Sequence, residues 1–262
     1  MASIDELRVE YNEHANVYND ILTVPIGVIE SQLLHAALGD CTGYTVLDLG
    51  GGTGIRAREV IDFGAVAVDV VDMSPEMLSS GRHDAATQGP KYEDSIAWHE
   101  ADVAKPLDHL PLRGGQGTYD LVMANWVMDH APGIPELEGM WRNVTTYLKP
   151  GGRFVGVRSG DPFGPSVVQG KYGIRYRDWQ SIPGGIRFRY VVNTVPPIDI
   201  EASSMHVSYN GSTEMHHKFG LGDVEIEPYE NSEVVRKDPE FWELFLENPS
   251  LAVVKARKVA NE

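Results

Sequence analysis

An open, doubly wound α/β sheet, seven-stranded and mostly parallel, is the architecture this sequence predicts. Three observations carry that reading. Short apolar runs alternate with helical stretches between residues 44 and 157. The first run stops on a cluster of glycines, as a buried parallel strand does before a ligand-facing turn. After an interruption the alternation resumes near the C-terminal end, which suits one domain of 262 residues carrying an insertion.

Residues 1–40 read as helix. Ser3-Ile4-Asp5-Glu6 forms a capping box, Tyr11, Ala15 and Tyr18 recur at helical spacing, and Ile26, Ile29, Leu33, Leu34 and Leu38 extend the stripe beyond Pro25 to Gly39. Tyr44 to Leu49 is the first strand, Arg56 to Phe63 a helix, and Ala67 to Asp72 the second strand. Ser74-Pro75-Glu76 starts another helix, with Ser as N-cap and Pro in the first turn. Further strands are expected at Ile96 to Asp102, Tyr119 to Asn125 and Arg153 to Val157, with a helix over Leu137 to Leu148. Residues 41–158 thus form the core. Residues 159–210 are rich in Gly, Pro and aromatics, with β-like runs at Ile186 to Asn193 and Ile198 to Tyr209, and read as an insertion over one end of the sheet. Residues 211–262 complete the sheet: a helix near Ser212 to Lys218, a strand Val224 to Pro228, a helix Asp238 to Glu247 and a strand Leu251 to Ala256.

Composition narrows the function. Lys and Arg number 22 against 38 Asp and Glu, a formal charge of −16, which repels nucleic acid and anionic membrane surfaces. Arg175, Arg177, Arg187 and Arg189 alternate with Tyr176, Phe188 and Tyr190. That period of two reads as the solvated face of a strand rather than a base-stacking surface. Cys41 is the single cysteine, so no disulfide framework or thiolate metal site is expected. Met1 to Glu10 is polar and lacks a signal core, and no run reaches membrane-span length. The expected setting is cytoplasmic, as a monomer or homodimer.

Chemistry concentrates at the glycines. Gly50, Gly51, Gly52 and Gly54 sit where a turn needs unusual dihedrals and a ligand must approach bare backbone. A dinucleotide fingerprint would need a third glycine at position 55, where Ile55 stands. Asp72 ends the second strand and can accept both hydroxyls of a ribose.

Val46-Leu47-Asp48-Leu49-Gly50-Gly51-Gly52-Thr53-Gly54 resembles motif I of class I S-adenosylmethionine (SAM)-dependent methyltransferases. Asp72-Met73-Ser74-Pro75-Glu76-Met77-Leu78 resembles their post-I segment, Ala101-Asp102-Val103 their third-strand motif, and Tyr119-Asp120-Leu121-Val122 and Leu148-Lys149-Pro150-Gly151-Gly152 their fourth- and fifth-strand motifs. Gly222-Asp223-Val224-Glu225-Ile226 is similar to a late strand of the family, without its usual aromatic after the glycine. The resemblance implies a Rossmann-like methyltransferase fold with SAM as cofactor and S-adenosylhomocysteine as product. It places Asp48 and the glycines along the methionine part, Asp72 on the ribose and Met73 beside the adenine. Asp102 and the Val103 amide fall on the adenine edge, Asn125 and Trp126 near the methionine end.

For the acceptor, His130 after the fourth strand is the candidate proton acceptor. Tyr11 and Tyr18 are similar to the lid segment of many small-molecule methyltransferases, which makes residues 1–40 a helical lid. His206 and Tyr209 are candidates to line the acceptor pocket. His216 and His217 diverge by about 100° on a helix and make a poor metal pair, so no metal is expected. The function implied is methyl transfer to an O or N atom of a small, apolar or aromatic metabolite. The alternative keeps the SAM site without methylation, as in a cyclase or regulator. Asn125-Trp126-Val127-Met128 lacks the prolines of amino-group methyltransferases of nucleic acid and protein, and the glycine spacing disfavours an NAD-dependent oxidoreductase.

Overall fold

The computed structural model describes residues 4–209 and 211–260; Ser3 of the capping box lies outside them. Seven strands form one sheet: β1 (Thr45–Leu49), β2 (Ala67–Asp72), β3 (Ile96–Glu100), β4 (Tyr119–Met123), β5 (Leu148–Ser159), β9 (Leu221–Ile226) and β10 (Leu251–Lys258). The insertion supplies a second, antiparallel sheet of β6 (Ile174–Ile182), β7 (Gly185–Val192) and β8 (Ile198–Met205). In the large sheet the order is β3-β2-β1-β4-β5-β10-β9, with β10 antiparallel to both neighbours. Strand order reverses between β1 and β4, so the crevice for a ligand opens at their carboxyl ends.

Strand residues alternate between two apolar layers. Val46, Val68, Val70, Leu121 and Met123 pack on one face with the helix Pro25–Leu38 and the insertion, whereas Leu47, Leu49, Val71 and Val122 pack on the other with the helix Ile134–Tyr147. At about 25 cal/mol per Å² of buried apolar surface, such two-sided burial dominates the sheet's stability.

Boundaries moved where side-chain chemistry overrides periodicity. The N-terminal stretch is not one helix. It is α1 (Ile4–His14), a 3₁₀ turn Tyr18–Thr23 and α2 (Pro25–Leu38), because Pro25 can open a helix but not continue one. β6 was not anticipated, although its alternation of Arg175 and Arg177 with Tyr176 is the period-two signal already noted. The face is solvated and charge-paired: Arg189 Nε lies 2.8 Å from Asp199 Oδ1, and Arg177 also pairs with Asp199. Helix α3 (Ile55–Asp62) follows the glycine turn. Helix α4 (Pro75–Gln88) starts as the sequence requires, with Ser74 Oγ accepting from the Met77 amide at 3.1 Å. No helix among the described residues is long and apolar enough to cross a membrane.

Candidate active site

The crevice at the carboxyl ends of β1, β2 and β4 opens into a cavity of about 140 Å³. Asp48, Gly50, Gly51, Gly52, Asp72, Met73, Asp102, Val103, Asn125, Trp126, Tyr11, Tyr18 and His130 all line it. Residues 119 positions apart thereby meet: Tyr11 Oη lies 2.8 Å from His130 Nε2.

Two predicted groups are elsewhere. Gly54 does not line the cavity; it precedes α3 at φ +66°, and a Cβ there would come 2.4 Å from the Trp98 ring. Its role is to admit that ring. His206 and Tyr209 also lie away from the cavity, His206 exposed and Tyr209 packed in the core. The strand expected to reach Tyr209 stops at Met205, and a 3₁₀ turn, His206–Ser208, follows it, its Ser208 carbonyl bonded by Arg158.

Charges are arranged by what each carboxylate can bond. Asp72 accepts from the Gly52 amide at 2.9 Å and the Ser74 amide at 2.8 Å. Burial nevertheless holds its pKa above the ordinary value, against these bonds. Asp102 accepts from the Ala104 amide at 2.8 Å, tying the loop after β3. Asp48 differs: it is 1% exposed and neither oxygen has a partner. Burial, with the nearby Asp72 charge, pushes its pKa up to about 8. Asn125 likewise has neither amide atom paired. Unpaired buried polar groups cost about 1–3 kcal/mol each, so these two describe a ligand-shaped gap.

Sequence reading missed two charged residues of the wall. Glu30 and Arg56 form a buried ion pair of 2.8 Å, and Glu30 also accepts from Trp126 Nε1 at 2.8 Å. The available signal was a carboxylate in the apolar stripe of α2. Trp126 itself has φ +62°, a strained conformation for a bulky residue that costs about 1–3 kcal/mol. The Trp126 amide donates to the Val157 carbonyl at 2.8 Å, which holds the turn there.

Beyond this wall lies a second, smaller chamber of about 40 Å³, reaching under the insertion to Tyr176, Phe188 and Tyr190. Tyr176 and Phe188 stack with centroids 4.5 Å apart, and Tyr190 Oη lies 3.3 Å from Tyr11 Oη. Burial lowers the His130 pKa to about 4, partly offset by the Glu201 backbone, and its Nδ1 has no hydrogen-bond partner. Burial raises Tyr11 and Tyr190 well above a normal phenol and Tyr18 to about 12. The ring is therefore a neutral imidazole among neutral phenols at physiological pH.

The seven-stranded sheet and its order are those of the Rossmann-like methyltransferase fold. Residues 46–152 match the family model described as a methyltransferase domain. That match covers less than half of the chain and supports, for these residues, a domain of the class I SAM-dependent methyltransferase superfamily, whose cofactor is SAM. Over 129 residues it is 33% identical to a squalestatin tetraketide synthase of Cochliobolus lunatus, covering 47% of this chain and 5% of that protein. Over 153 residues it is 28% identical to a demethylmenaquinone methyltransferase of Tropheryma whipplei, covering 57% of each. The chain thus spans little more than half the length of one relative and a small part of the other. Among solved structures, the CcbJ methyltransferase of Streptomyces caelestis is similar in fold at a TM-score of 0.62 and 20% identity, over 94% of this chain and 96% of that one.

The residues present fit SAM. The unpaired Asp48 carboxylate suits a cationic ammonium, Asn125 offers a donor and an acceptor, and Gly52 at φ +55° leaves its Cβ position open but for Asp72 Oδ2 at 4.0 Å.

Proposed function

We propose that this protein transfers a methyl group from SAM to an oxygen or nitrogen of a small, apolar or aromatic acceptor seated in the aromatic chamber. One observation carries the reading: the cofactor crevice and the chamber share a wall, since Tyr18, Ile21, Glu30, Trp126 and His130 line both. A ligand filling each would meet the other there.

Bound SAM supplies an electrophilic methyl on a sulfonium. Asp72 would hold its ribose, Asp102 and the Val103 amide would take its adenine edge, and Asp48 and Asn125 its methionine end. Tyr18 and Trp126 exclude water from the shared wall, with Tyr11 beside them on the crevice side, and positioning there supplies most of the rate. His130 takes the acceptor's proton at Nδ1. In the tautomer this requires, Nε2–H donates to Tyr11 Oη, and Tyr11 donates in turn to Tyr190. Burial favours neutral species throughout, which matches an uncharged hydroxyl or amine.

Formation of S-adenosylhomocysteine with a panel of naphthols, hydroquinones and aryl amines tests the reading. Turnover with at least one member supports it. Tight SAM binding without turnover of any of them favours the cyclase or regulator instead.

A further inference from the structure

A third cavity lies on the other face of β5, where strand alternation points Arg158 away from Ser159. Trp141, Arg158, Ser208 and His216 line it, and they are only 3–7% exposed. Each of the four carries a buried polar atom with no partner: Trp141 Nε1, Arg158 Nε and Nη2, Ser208 Oγ and His216 Nδ1. The indole and guanidinium nitrogens can only donate. No carboxylate lines the cavity among the described residues. Asp129, which acts on Arg158 through space, spends its oxygens on the Ser159 amide at 2.8 Å and the Ser204 hydroxyl at 2.6 Å. Arg158 makes a single bond, from Nη1 to the Ser208 carbonyl at 2.6 Å. His216 supplies no second cation, because burial together with the Arg158 and His217 charges lowers it to about 3.

Beyond the Ser208 carbonyl on Nη1 the guanidinium has no carboxylate in contact and leaves Nε and Nη2 unpaired, and a buried charge so poorly paired is costly. The cavity holds about 20 Å³, room for one small species. We propose that it is a binding site for a single small monovalent anion of the chloride or bromide class, held by Arg158 and the Trp141, Ser208 and His216 donors. The anion would sit behind the strand whose Ser159 amide holds Asp129, next to His130, and so brace the wall of the active site from outside it.

Bromide is the probe. Crystals soaked in sodium bromide, measured at the bromine absorption edge, are expected to show an anomalous peak within hydrogen-bond distance of Arg158 Nε and Nη2. In solution, Tm is expected to rise by about 3 °C in sodium bromide over sodium gluconate at equal ionic strength. That increment should shrink in Trp141→Phe and Ser208→Ala and vanish in Arg158→Met. The first two keep the guanidinium, so the test survives a misfolded Arg158→Met. Density for water with no anomalous peak overturns the proposal, as does a Tm increment equal in wild type and the two milder variants.

Discussion

The cofactor crevice and the aromatic chamber share a wall but are built on opposite plans. The crevice is made of backbone turns and short polar side chains at the ends of consecutive strands, so its parts are contiguous in sequence: Asp48 to Gly52, Asp72 to Met73, Asp102 to Val103. The chamber is made of large side chains from three distant places, with Tyr18 near the N-terminus, Trp126 and His130 after β4, and Tyr176, Phe188 and Tyr190 in the insertion. One region recognises by geometry that a strand end imposes, the other by volume that packing leaves over. The first tolerates little change and the second can be reshaped.

Breaking the crevice should have the largest effect. Gly52→Val places a β-branched side chain at φ +55°, where it is strained and fills the cradle, and SAM affinity measured by calorimetry should fall more than about 100-fold. Circular dichroism should show the fold retained.

At the shared wall, His130→Gln should lower kcat about 100-fold or more while leaving SAM affinity within about twofold. Since the neutral ring is the working form and its pKa is about 4, His130 should add no break to the kcat profile between pH 5 and 8, only an acid limb near pH 4. A histidine-linked break near pH 6.5 would contradict the proposed role.

Asp48 gives a sharper test of the crevice. Its pKa is raised from 3.8 to about 8, so between those values the unfolded chain has released a proton that the folded one retains. Stability without ligand should therefore fall as pH rises from about 4 to 8, by up to about 1.4 kcal/mol per unit from this group. Asp48→Asn should flatten the slope of Tm against pH. SAM should bind with proton release in the wild type and without it in the variant.

Within the chamber, Phe188→Leu removes the stack on Tyr176 and should raise the acceptor KM about fivefold with no change in SAM affinity. The smallest effect belongs to His206→Ala, expected within about twofold of wild type in every kinetic constant, because that exposed side chain lines neither compartment.

The same contrast decides what was legible in the sequence. Strand-end motifs placed Asp48, Asp72, Asp102 and Asn125 on the crevice because a parallel strand fixes where its last residue points. Gly54 falls outside the cavity lining and against the Trp98 ring, since a glycine can serve a neighbouring ring as well as a ligand and nothing local distinguishes the two. Tyr176, Phe188 and Tyr190 were visible only as half of an alternating strand; that their face would cover His130 depends on how the small sheet docks, which no local pattern encodes. Glu30 was hidden for a related reason: helical periodicity put it on the buried face, and its partner Arg56 comes from another helix.

Helix α1 reaches across both regions. Glu10 bonds Arg189 at 2.9 Å and the Glu201 amide at 2.8 Å on the insertion, Asn12 accepts from Ser74 at 2.6 Å beside the cofactor crevice, and Tyr11 between them touches His130. Lifting this one segment undoes ties on either side together. For the proposed reaction, strengthening the ties at either end of this segment is therefore expected to slow the release of cofactor and acceptor together.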